Sequence, residues 1–316
     1  MRNSALSTEQ VVVCAGIVVA DVILRPFSGL PEPGGLKLVE RIGLYSGGCA
    51  ANTALTLARV GVPTEVVASV GQDEFGEFLV RTLAGSGVGV AGVVRSPELG
   101  TSTTVVLVAA DGERSFLHTI GANAGLHPEH FPAALLHRCR ILHFGGALLL
   151  PGFDGPPMAE VLCAARAAGA LTSLDTAQDH SGRWYSTLAT CLPELDVFMT
   201  SEREGAAIAG RDNPQEAASF LLDRGARFVA IKLGQRGCLV ASAGERHRLP
   251  AFSVPVVDTT GAGDAFAAGF LAGLAAGRDL RSCGLLGCAA GARCVSHPGA
   301  AAFPVSMDDL LSLAQL

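Results

Sequence analysis

The sequence predicts an α/β fold with a mostly parallel central sheet, helices on both faces of that sheet, and a second, smaller β-sheet. Short β-branched runs alternate with longer Ala- and Leu-rich segments of helical periodicity, which is typical of crossover units between parallel strands. Two stretches rich in turn-forming residues interrupt this alternation. The chain has 316 residues, which suits one large domain or two small ones and is ample for a substantial core.

The predicted strands of the central sheet are short apolar runs, and the segments between them have the spacing of amphipathic helices. Strands are expected at Val11–Val19, Thr64–Val70, Arg140–Phe144, Ala170–Leu174, Asp196–Met199 and Arg227–Leu233. Helices are expected at Ala51–Val60, Glu74–Ala84, Met158–Ala168 and Gln215–Arg224, with a further apolar helix from Gly263 to Ala276.

The small sheet is predicted from two separate segments of the chain. In the first, turn formers precede Lys37–Tyr45, which can be extended. In the second, Asp111-Gly112 joins the β-rich runs Thr103–Ala110 and Glu113–Ile120, and Asp-Gly between such runs is a strong hairpin signal. The alternative is that these strands extend the main sheet. The division predicted here is an α/β body of residues 1–20, 47–90 and 121–316 and a small sheet of residues 21–46 and 91–120.

Composition and charge argue against several classes of protein. A net charge of −6 with no basic run is unlike a nucleic-acid-binding surface. The longest apolar stretches, Val11–Ala20 and Ala265–Ala276, are shorter than the ~20 residues of a membrane span. The nine cysteines are scattered without a Cys-x-x-Cys pair, and residues 1–10 do not resemble an export signal. We therefore expect a cytoplasmic protein that binds neither nucleic acid nor membrane.

The segment Val256–Phe266 carries the strongest chemical signal. A strand-like run ends at Asp258, a turn of small residues follows, and the apolar helix begins near Gly263. Gly261 and Gly263 let a ligand approach the backbone closely because neither has a Cβ, and the first amides of a helix bind anions such as phosphate. Asp264 at this site is itself negative, so it is expected to act as a base that takes a proton from a group attacking the phosphate. The alternative is an acidic residue that is merely favoured by the helix dipole.

Two other segments supply candidate ligand-binding residues. Gly47 and Gly48 precede a helix with Asn52 in its first turn, where the amide is able to bind a polar ligand or cap the helix. Asp21 directly follows a long apolar run, and ligands of open α/β sheets bind beyond the carboxyl ends of the strands. An ordinary loop aspartate is the alternative for Asp21.

Two nucleotide-binding motifs are excluded. The run Gly87–Gly92 matches G-x-G-x-x-G, but it follows a helix and precedes a strand, which is the reverse of the dinucleotide fingerprint. Neither Lys37 nor Lys232, the only lysines, is followed by Ser or Thr as a Walker A loop requires. The histidines show no metal-ligand spacing, and Cys283, Cys288 and Cys294 are expected to be core residues.

Taken together, these segments resemble the PfkB/ribokinase family of carbohydrate kinases from about Val11 to Pro304. The run Gly47-Gly48-x-Ala50-x-Asn52 resembles the family's N-terminal signature, and Asp258–Asp264 matches its C-terminal signature at every position. Between them, Val70-Gly71-x-Asp73-x-Phe75-Gly76 resembles a further family turn. The resemblance implies a ribokinase-like fold in which the small sheet is a discontinuous lid over a sugar.

The resemblance also implies an ATP-dependent sugar kinase that uses Mg²⁺ and forms a homodimer through the lid. Asp264 is then the base, and the amides of Gly261, Ala262 and Gly263 hold the charge of the transferred phosphoryl group. The remaining implied roles are sugar binding by Asp21, Gly47, Gly48 and Asn52, nucleotide binding by Ser201, Lys232, Gly234 and Gly237, and indirect Mg²⁺ binding by Glu204. A monovalent cation such as K⁺ is implied at Asp258 and the Thr260 carbonyl, with further carbonyls near His297–Ala302. Ser201 stands where the family usually has Asn, and a hydroxyl offers one donor rather than two, so the handling of metal and phosphate is expected to differ.

Three alternatives stay open at this point. A nucleoside kinase of the same family needs a flat surface for the base, for which Phe27, Tyr45 and Phe116 are the candidates. A non-catalytic sugar-binding protein has no use for a base, so the presence of Asp264 argues against it. A phosphorylated sugar requires cations near the sugar, and the available ones are Arg25, Arg41, Arg95 and Arg114.

Overall fold

Two β-sheets carry the fold of residues 10–316, the part of the chain that the computed structural model describes. The strands are β1 (Val11–Gly16), β2 (Val19–Phe27), β3 (Arg41–Gly47), β4 (Thr64–Gly71), β5 (Gly89–Ser96), β6 (Thr103–Ala109), β7 (Arg114–Thr119), β8 (Cys139–Ala147), β9 (Leu171–Thr176), β10 (Val197–Ser201), β11 (Phe228–Lys232), β12 (Cys238–Ala241) and β13 (Arg246–Leu249). The large sheet has nine strands in the order β13-β12-β11-β10-β9-β8-β1-β4-β5, and the small sheet has four in the order β3-β2-β6-β7. Among the described residues, the pairs β11–β12 and β12–β13 are antiparallel and the other six pairs of the large sheet are parallel, which confirms the mostly parallel arrangement.

Helices cover both faces of the large sheet, as predicted. They are α1 (Cys49–Arg59), α2 (Glu74–Gly85), α3 (Ala133–Arg138), α4 (Pro156–Ala167), α5 (Tyr185–Leu188), α6 (Glu202–Ala209), α7 (Pro214–Asp223), α8 (Ala262–Ala275), α9 (Leu280–Val295) and α10 (Met307–Ala314). One apolar core lies between the sheet and α1, α2, α8, α9 and α10, and the other between the sheet and α3 to α7. The expected core cysteines of α9 are all buried. Among residues 10–316, no helix is both long and apolar enough to span a membrane.

The apolar run expected as one strand over Val11–Val19 is divided between the two sheets. Strand β1 ends at Gly16, which has φ +125° and lies so close to Gly145 that a Cβ would overlap its carbonyl. Strand β2 then begins in the small sheet, so Asp21 lies within a strand and not in a loop beyond one. The sequence hides this break because both halves of the run are apolar.

Two other expectations are wrong. The segment 91–96 does not belong to the small sheet, because β5 pairs with β4 in the large one, where Ser69 is opposite Val94. The run ending at Asp258 is not a strand: Val256 and Val257 are 66% and 60% exposed and lie in an irregular segment. Apolar β-branched residues outside a sheet are a case in which composition alone misleads.

Side-chain hydrogen bonds fix the places where the chain crosses between the two sheets. The Asn123 side chain accepts from the Val18 amide at 3.2 Å and donates to the Val18 carbonyl at 3.1 Å. The Asp73 carboxylate accepts from the amide and the hydroxyl of Thr101 at 2.7 and 2.6 Å, and from the Gly76 amide at 2.9 Å. These contacts set the position of the small sheet relative to the body.

Candidate active site

The candidate site lies at the carboxyl edge of the large sheet, beside the first turns of α1 and α8. Because β9, β10 and β11 are parallel neighbours, Asp175, Ser201 and Lys232 near their carboxyl ends come to the same edge. The hydroxyl of Thr53 in α1 donates to the Asp264 carbonyl in α8 at 3.3 Å, which joins the two helices at this edge. Ligands of open α/β sheets bind at such an edge.

The two signature segments meet directly through one hydrogen bond. Asn52 Nδ2 donates to Asp264 Oδ2 at 2.7 Å, although the two residues are 212 positions apart. Burial raises the pKa of Asp264, whereas the Asn52 hydrogen bond and the charge of Lys232 act to lower it; the net shift is upward. Asn52 does not cap α1, because Gly48, with φ +90°, is the residue at that cap. Asn52 Oδ1 is buried and has no hydrogen-bond partner among the described residues, so it is available to a ligand.

The turn before α8 presents free backbone amides. Gly261 has φ +75°, and a Cβ there would lie 2.7 Å from Ala300 Cα, so only glycine fits. The amides of Gly261 and Gly263 donate no hydrogen bond within residues 10–316, whereas the Ala262 amide donates to the Thr259 carbonyl at 3.3 Å. Two of the three amides expected to bind an anion are therefore unpaired.

An ion pair that the sequence analysis missed adds a positive charge to this turn. Lys232 Nζ lies 2.6 Å from both carboxylate oxygens of Asp175, and it would be 3.2 Å from a Cβ on Gly263. Burial raises the pKa of Asp175 to about 6, although the charge and the hydrogen bonds of Lys232 act to lower it. Burial acts to lower the pKa of Lys232, but the Asp175 carboxylate outweighs it and the net shift is upward. An acid near the end of an apolar strand was the available signal for Asp175, the same one that singled out Asp21.

The small sheet brings Asp21 to the start of α1. A Cβ on Gly47 would overlap Asp21 Oδ2, so glycine there leaves room for the carboxylate. Burial raises the pKa of Asp21 to about 6, although a hydrogen bond with Thr104 acts to lower it. Strand register aligns Asp21 with Thr104, and Thr104 with His118, whose ring Nδ1 lies 3.0 Å from the Thr104 hydroxyl. The structure thus places a row of polar side chains on the small sheet next to the N-terminal signature.

The residues expected at the nucleotide lie on the neighbouring strands. Gly234 and Gly237 flank the turn between β11 and β12, and a Cβ on Gly237 would lie 2.6 Å from the Ala251 nitrogen. Ser201 and Glu204 form a capping box at the start of α6: the Ser201 hydroxyl accepts from the Glu204 amide at 3.3 Å, and Glu204 Oε2 accepts from the Ser201 amide at 3.1 Å. The spacing Ser-x-x-Glu is a readable signal for that cap, which the sequence analysis did not use.

The described residues do not form a closed metal cage. Among residues 10–316, no cluster of three or more His, Cys, Asp or Glu side chains is arranged to hold an ion. Mg²⁺ usually keeps several waters and is bound by one or two carboxylates together with substrate phosphates. Glu204 and Asp264 interact electrostatically and fit that kind of open site.

The Asp258 carboxylate, expected to bind a monovalent cation, accepts hydrogen bonds from groups of this chain. Asp258 Oδ1 accepts from Arg114 Nη2 at 2.6 Å and from the Thr260 amide at 2.8 Å, and Oδ2 accepts from the Gly299 amide at 3.1 Å. Burial acts to raise the pKa of Asp258, but these hydrogen bonds hold it below its usual value. The Arg114 guanidinium also donates to the Thr260 hydroxyl. The cation paired with the Asp258 carboxylate is therefore the Arg114 guanidinium, which belongs to the small sheet.

Comparisons with known proteins show the family and the fold. The sequence model of a family described as pfkB family carbohydrate kinase matches residues 9–306. An ATP-dependent ribose-1-phosphate kinase of Halopiger xanaduensis is 34% identical over 83% of this chain and 83% of its own length. Fructokinase-1 of Oryza sativa subsp. japonica is 30% identical over 77% of this chain and 78% of its own length. The crystal structure of a putative ribokinase II from E. coli in complex with ATP and Mg²⁺ has a TM-score of 0.84 at 24% identity and covers 97% of this chain and 99% of that one. The predicted ribokinase-like fold is confirmed.

Proposed function

The chain belongs to the pfkB family of carbohydrate kinases, and we propose that it transfers the γ-phosphoryl group of ATP to a hydroxyl of a small, uncharged carbohydrate. The observation that carries this proposal is the position of Asp264: its carboxylate lies in the first turn of α8 and is oriented by Asn52 at 2.7 Å. A hydroxyl that approaches this carboxylate is also next to the unpaired amides of the preceding turn. Base and anion site are therefore adjacent.

Each group has a defined task in this reaction. Asp264 accepts the proton of the attacking hydroxyl, and Asn52 holds the carboxylate in place. The amides of Gly261 and Gly263 and the ammonium of Lys232 stabilise the charge on the transferred phosphoryl group. Phosphoryl transfer passes through a loose transition state, so positioning and charge stabilisation contribute more than the strength of the base.

We assign the nucleotide to the carboxyl ends of β10 and β11. The turn Gly234–Gly237 offers backbone without side chains at its two ends, and Ser201 lies on the adjacent strand. When bound, Mg²⁺ neutralises charge on the ATP phosphates; Glu204, which keeps one carboxylate oxygen outside the capping box, is the residue assigned to it through water.

An uncharged substrate is favoured by where the small-sheet and neighbouring arginines lie. Arg114 is paired with Asp258, and Arg95 with Glu77. Arg25 and Arg41 face each other four residues further along β2 than Asp21, a distance of about 13 Å in a strand. The carboxylates of Asp21 and Asp264 would repel a substrate phosphate, whereas they are good acceptors for hydroxyl groups.

We further propose that the small sheet is a lid and that two chains associate through its outer face. Side chains alternate along a strand, so the row Leu44–Val22–Val105–Leu117 lies on the face opposite to the row that contains Asp21. Leu44 and Leu117 are 38% and 64% exposed, and Ile42 on the same face is 62% exposed. An apolar row across all four strands suits an isologous contact with a second copy of the sheet.

A cytoplasmic location is inferred from the thiols. All nine cysteines are free, including Cys238 and Cys288, whose sulfur atoms lie only 3.5 Å apart. Free thiols are typical of a reducing compartment.

The proposal is tested by measuring ADP formation from ATP and Mg²⁺ with a panel of ketoses, aldoses, sugar acids, sugar phosphates and nucleosides. At least one uncharged sugar should give turnover, and Asp264→Asn should lower kcat by about 10²–10⁴-fold while ATP binding is retained. The matched control is Asp308→Asn, which removes an exposed first-turn acid from α10 and should not change kcat.

Three outcomes contradict the proposal. The kinase assignment is wrong if the wild type turns over none of the compounds faster than Asp264→Asn does. Turnover of nucleosides alone supports the nucleoside kinase instead, for which Phe116, 59% exposed, is the candidate surface. A strong preference for phosphorylated sugars contradicts the assignment of an uncharged sugar as the substrate.

A further inference from the structure

Arg114 joins the small sheet to the turn that precedes α8. It is the first residue of β7, just after the hairpin turn. Its side chain contacts Asp258, which lies 144 positions later in the sequence. Nη2 donates to Asp258 Oδ1 at 2.6 Å, and Nη1 donates to the Thr260 hydroxyl. The side chains of Arg114 and Asp258 are only 28% and 18% exposed, so this ion pair is largely screened from water. The contact lies immediately before Gly261, which begins the anion turn.

The other oxygens around this position are also engaged. The amide of Thr260 donates to Asp258 Oδ1 and the amide of Gly299 donates to Oδ2. The carbonyls of Thr260 and Ala300 accept from the Cys294 thiol at 3.4 and 3.6 Å. A hard cation needs several oxygen ligands at once. Here the guanidinium donates to Asp258 and to the Thr260 hydroxyl, and the thiol lies within hydrogen-bonding distance of both carbonyls.

We propose that Arg114 takes the place of the monovalent cation and is a positioning residue for phosphoryl transfer. A guanidinium is always charged, and its planar fork reaches a carboxylate and a hydroxyl together. It neutralises Asp258 and holds Thr260, and through them it sets the backbone of the Gly261–Gly263 turn. Unlike a free ion it is attached to the small sheet, so the turn is complete only when that sheet covers the body. This inference rests on the proposed kinase function.

The first test compares the cation dependence of the reaction in the wild type and in Arg114→Ala. Rates are measured in choline chloride, NaCl and KCl at equal ionic strength. The wild type should differ by less than about twofold between the salts. Arg114→Ala should lose about tenfold or more in kcat in choline chloride, with a smaller change in KM for the sugar, and should regain part of it with KCl or with millimolar guanidinium chloride.

Two further variants separate this role from a general loss of charge or of fold. Arg114→Lys keeps a charge but loses the fork, and should lie between the wild type and Arg114→Ala. Lys37→Ala removes a positive charge from the segment before β3, where the hydrogen bonds of Nζ within residues 10–316 go only to the carbonyls of Ser28 and Gly29, at 2.8 and 3.3 Å. It should leave both the rate and its salt dependence unchanged.

A measurement without substrate keeps the inference separate from the proposed function. The midpoint of thermal unfolding is compared in KCl and in choline chloride. The wild type should show no difference, whereas Arg114→Ala should gain at least about 2 °C in KCl if K⁺ then binds to the vacated carboxylate.

The inference is overturned if the wild type is activated or stabilised by K⁺ as much as Arg114→Ala is. It is also overturned if Arg114→Ala raises only the KM of a phosphorylated sugar, because Arg114 then belongs to substrate binding. If no compound gives turnover, the proposed function fails, while the unfolding measurement still decides the role of Arg114.

Discussion

Asp264 lies among charges that act on its pKa in opposite directions. Burial and the charge of Glu204 raise it, and the Asn52 hydrogen bond and Lys232 lower it. The same surroundings act on Asp175, whose pKa burial raises to about 6. Both carboxylates therefore depend on Lys232 and on neighbouring donors to stay ionised in a partly closed site. The position of the base, set by Asn52, contributes more to the reaction than its strength.

Replacing Asn52 with Ala should move the acidic limb of the pH profile. The base must be unprotonated, and loss of the hydrogen bond that lowers the Asp264 pKa lets that pKa rise. Activity is then lost at a higher pH as the solution is acidified, and the plateau value of kcat/KM should fall about 10–100-fold because the carboxylate is no longer oriented. The measurement is kcat/KM against pH for wild type and variant.

The control for this prediction is Asn213→Ala. Asn213 caps α7 by accepting from the Gln215 amide at 2.9 Å, and it is not among the groups that shift the pKa of Asp264. It should lower the free energy of unfolding by about 1 kcal/mol and leave the acidic limb where it is. An unchanged limb in Asn52→Ala would show that the hydrogen bond does not act on the base.

At the scale of the element, helix α8 has a glycine at each end with nearly the same backbone conformation. Gly261 before it has φ +75°, and Gly277 just after its end has φ +72°. Their surroundings differ: a Cβ on Gly261 would lie 2.7 Å from Ala300 Cα, whereas a Cβ on Gly277 would have nothing within 4 Å. The pair therefore separates the cost of the conformation from the cost of close packing.

Gly277→Ala should destabilise the protein by about 1–2 kcal/mol, the cost of a left-handed residue with a Cβ, and leave kcat intact. Gly261→Ala should cost more than this and lower kcat at least about 100-fold, because Ala300 must move and the turn amides move with it. Urea unfolding and steady-state kinetics check both variants. Equal losses in the two would mean that Ala300 yields freely and that the turn tolerates a side chain.

The two faces of the small sheet carry different side chains, polar on one face and apolar on the other. The row Tyr45–Asp21–Thr104–His118 and the row Leu44–Val22–Val105–Leu117 are one residue apart in register. A shift of one residue in the β2–β6 pairing would exchange polar and apolar faces. The hairpin between β6 and β7 was predictable from its Asp-Gly turn, but the parallel pairing of β2 with β6 was not, because no local turn connects those strands.

At the scale of the whole molecule, the site is assembled from two sheets. The body supplies Asp264, the proposed base, together with the turn and Lys232, and the small sheet supplies Asp21 and Arg114. Asn123 and Asp73 hold the crossings between the sheets, so they set the distance between these two groups of residues without touching either. Covering the small sheet's outer face with a second copy would leave its polar row directed at the body.

Replacing Leu117 with Glu should convert the proposed dimer into a monomer. A charge at the β7 end of the apolar row cannot be buried against a second sheet without a large desolvation cost. Light scattering after gel filtration should give about twice the chain mass of 32.3 kDa for the wild type and one chain mass for the variant. Leu316→Glu, at an exposed leucine of the chain's end, is the control and should stay dimeric. A monomeric wild type at micromolar concentration would contradict the prediction.

The sequence by itself determined the features that short stretches of chain encode. Hydrophobic periodicity predicted the α/β fold and most strand and helix bounds to within a few residues, and the Asp258–Asp264 signature indicated the turn and the residue proposed as the base. Only the tertiary structure decided which residues meet: Asn52 with Asp264, Lys232 with Asp175, and Arg114 with Asp258 are 212, 57 and 144 positions apart. The physical reason is that a periodic pattern shows which face of an element is buried but not which other element covers it. The cation that neutralises Asp258 is therefore found in the structure, on a strand that the sequence assigned only to a lid.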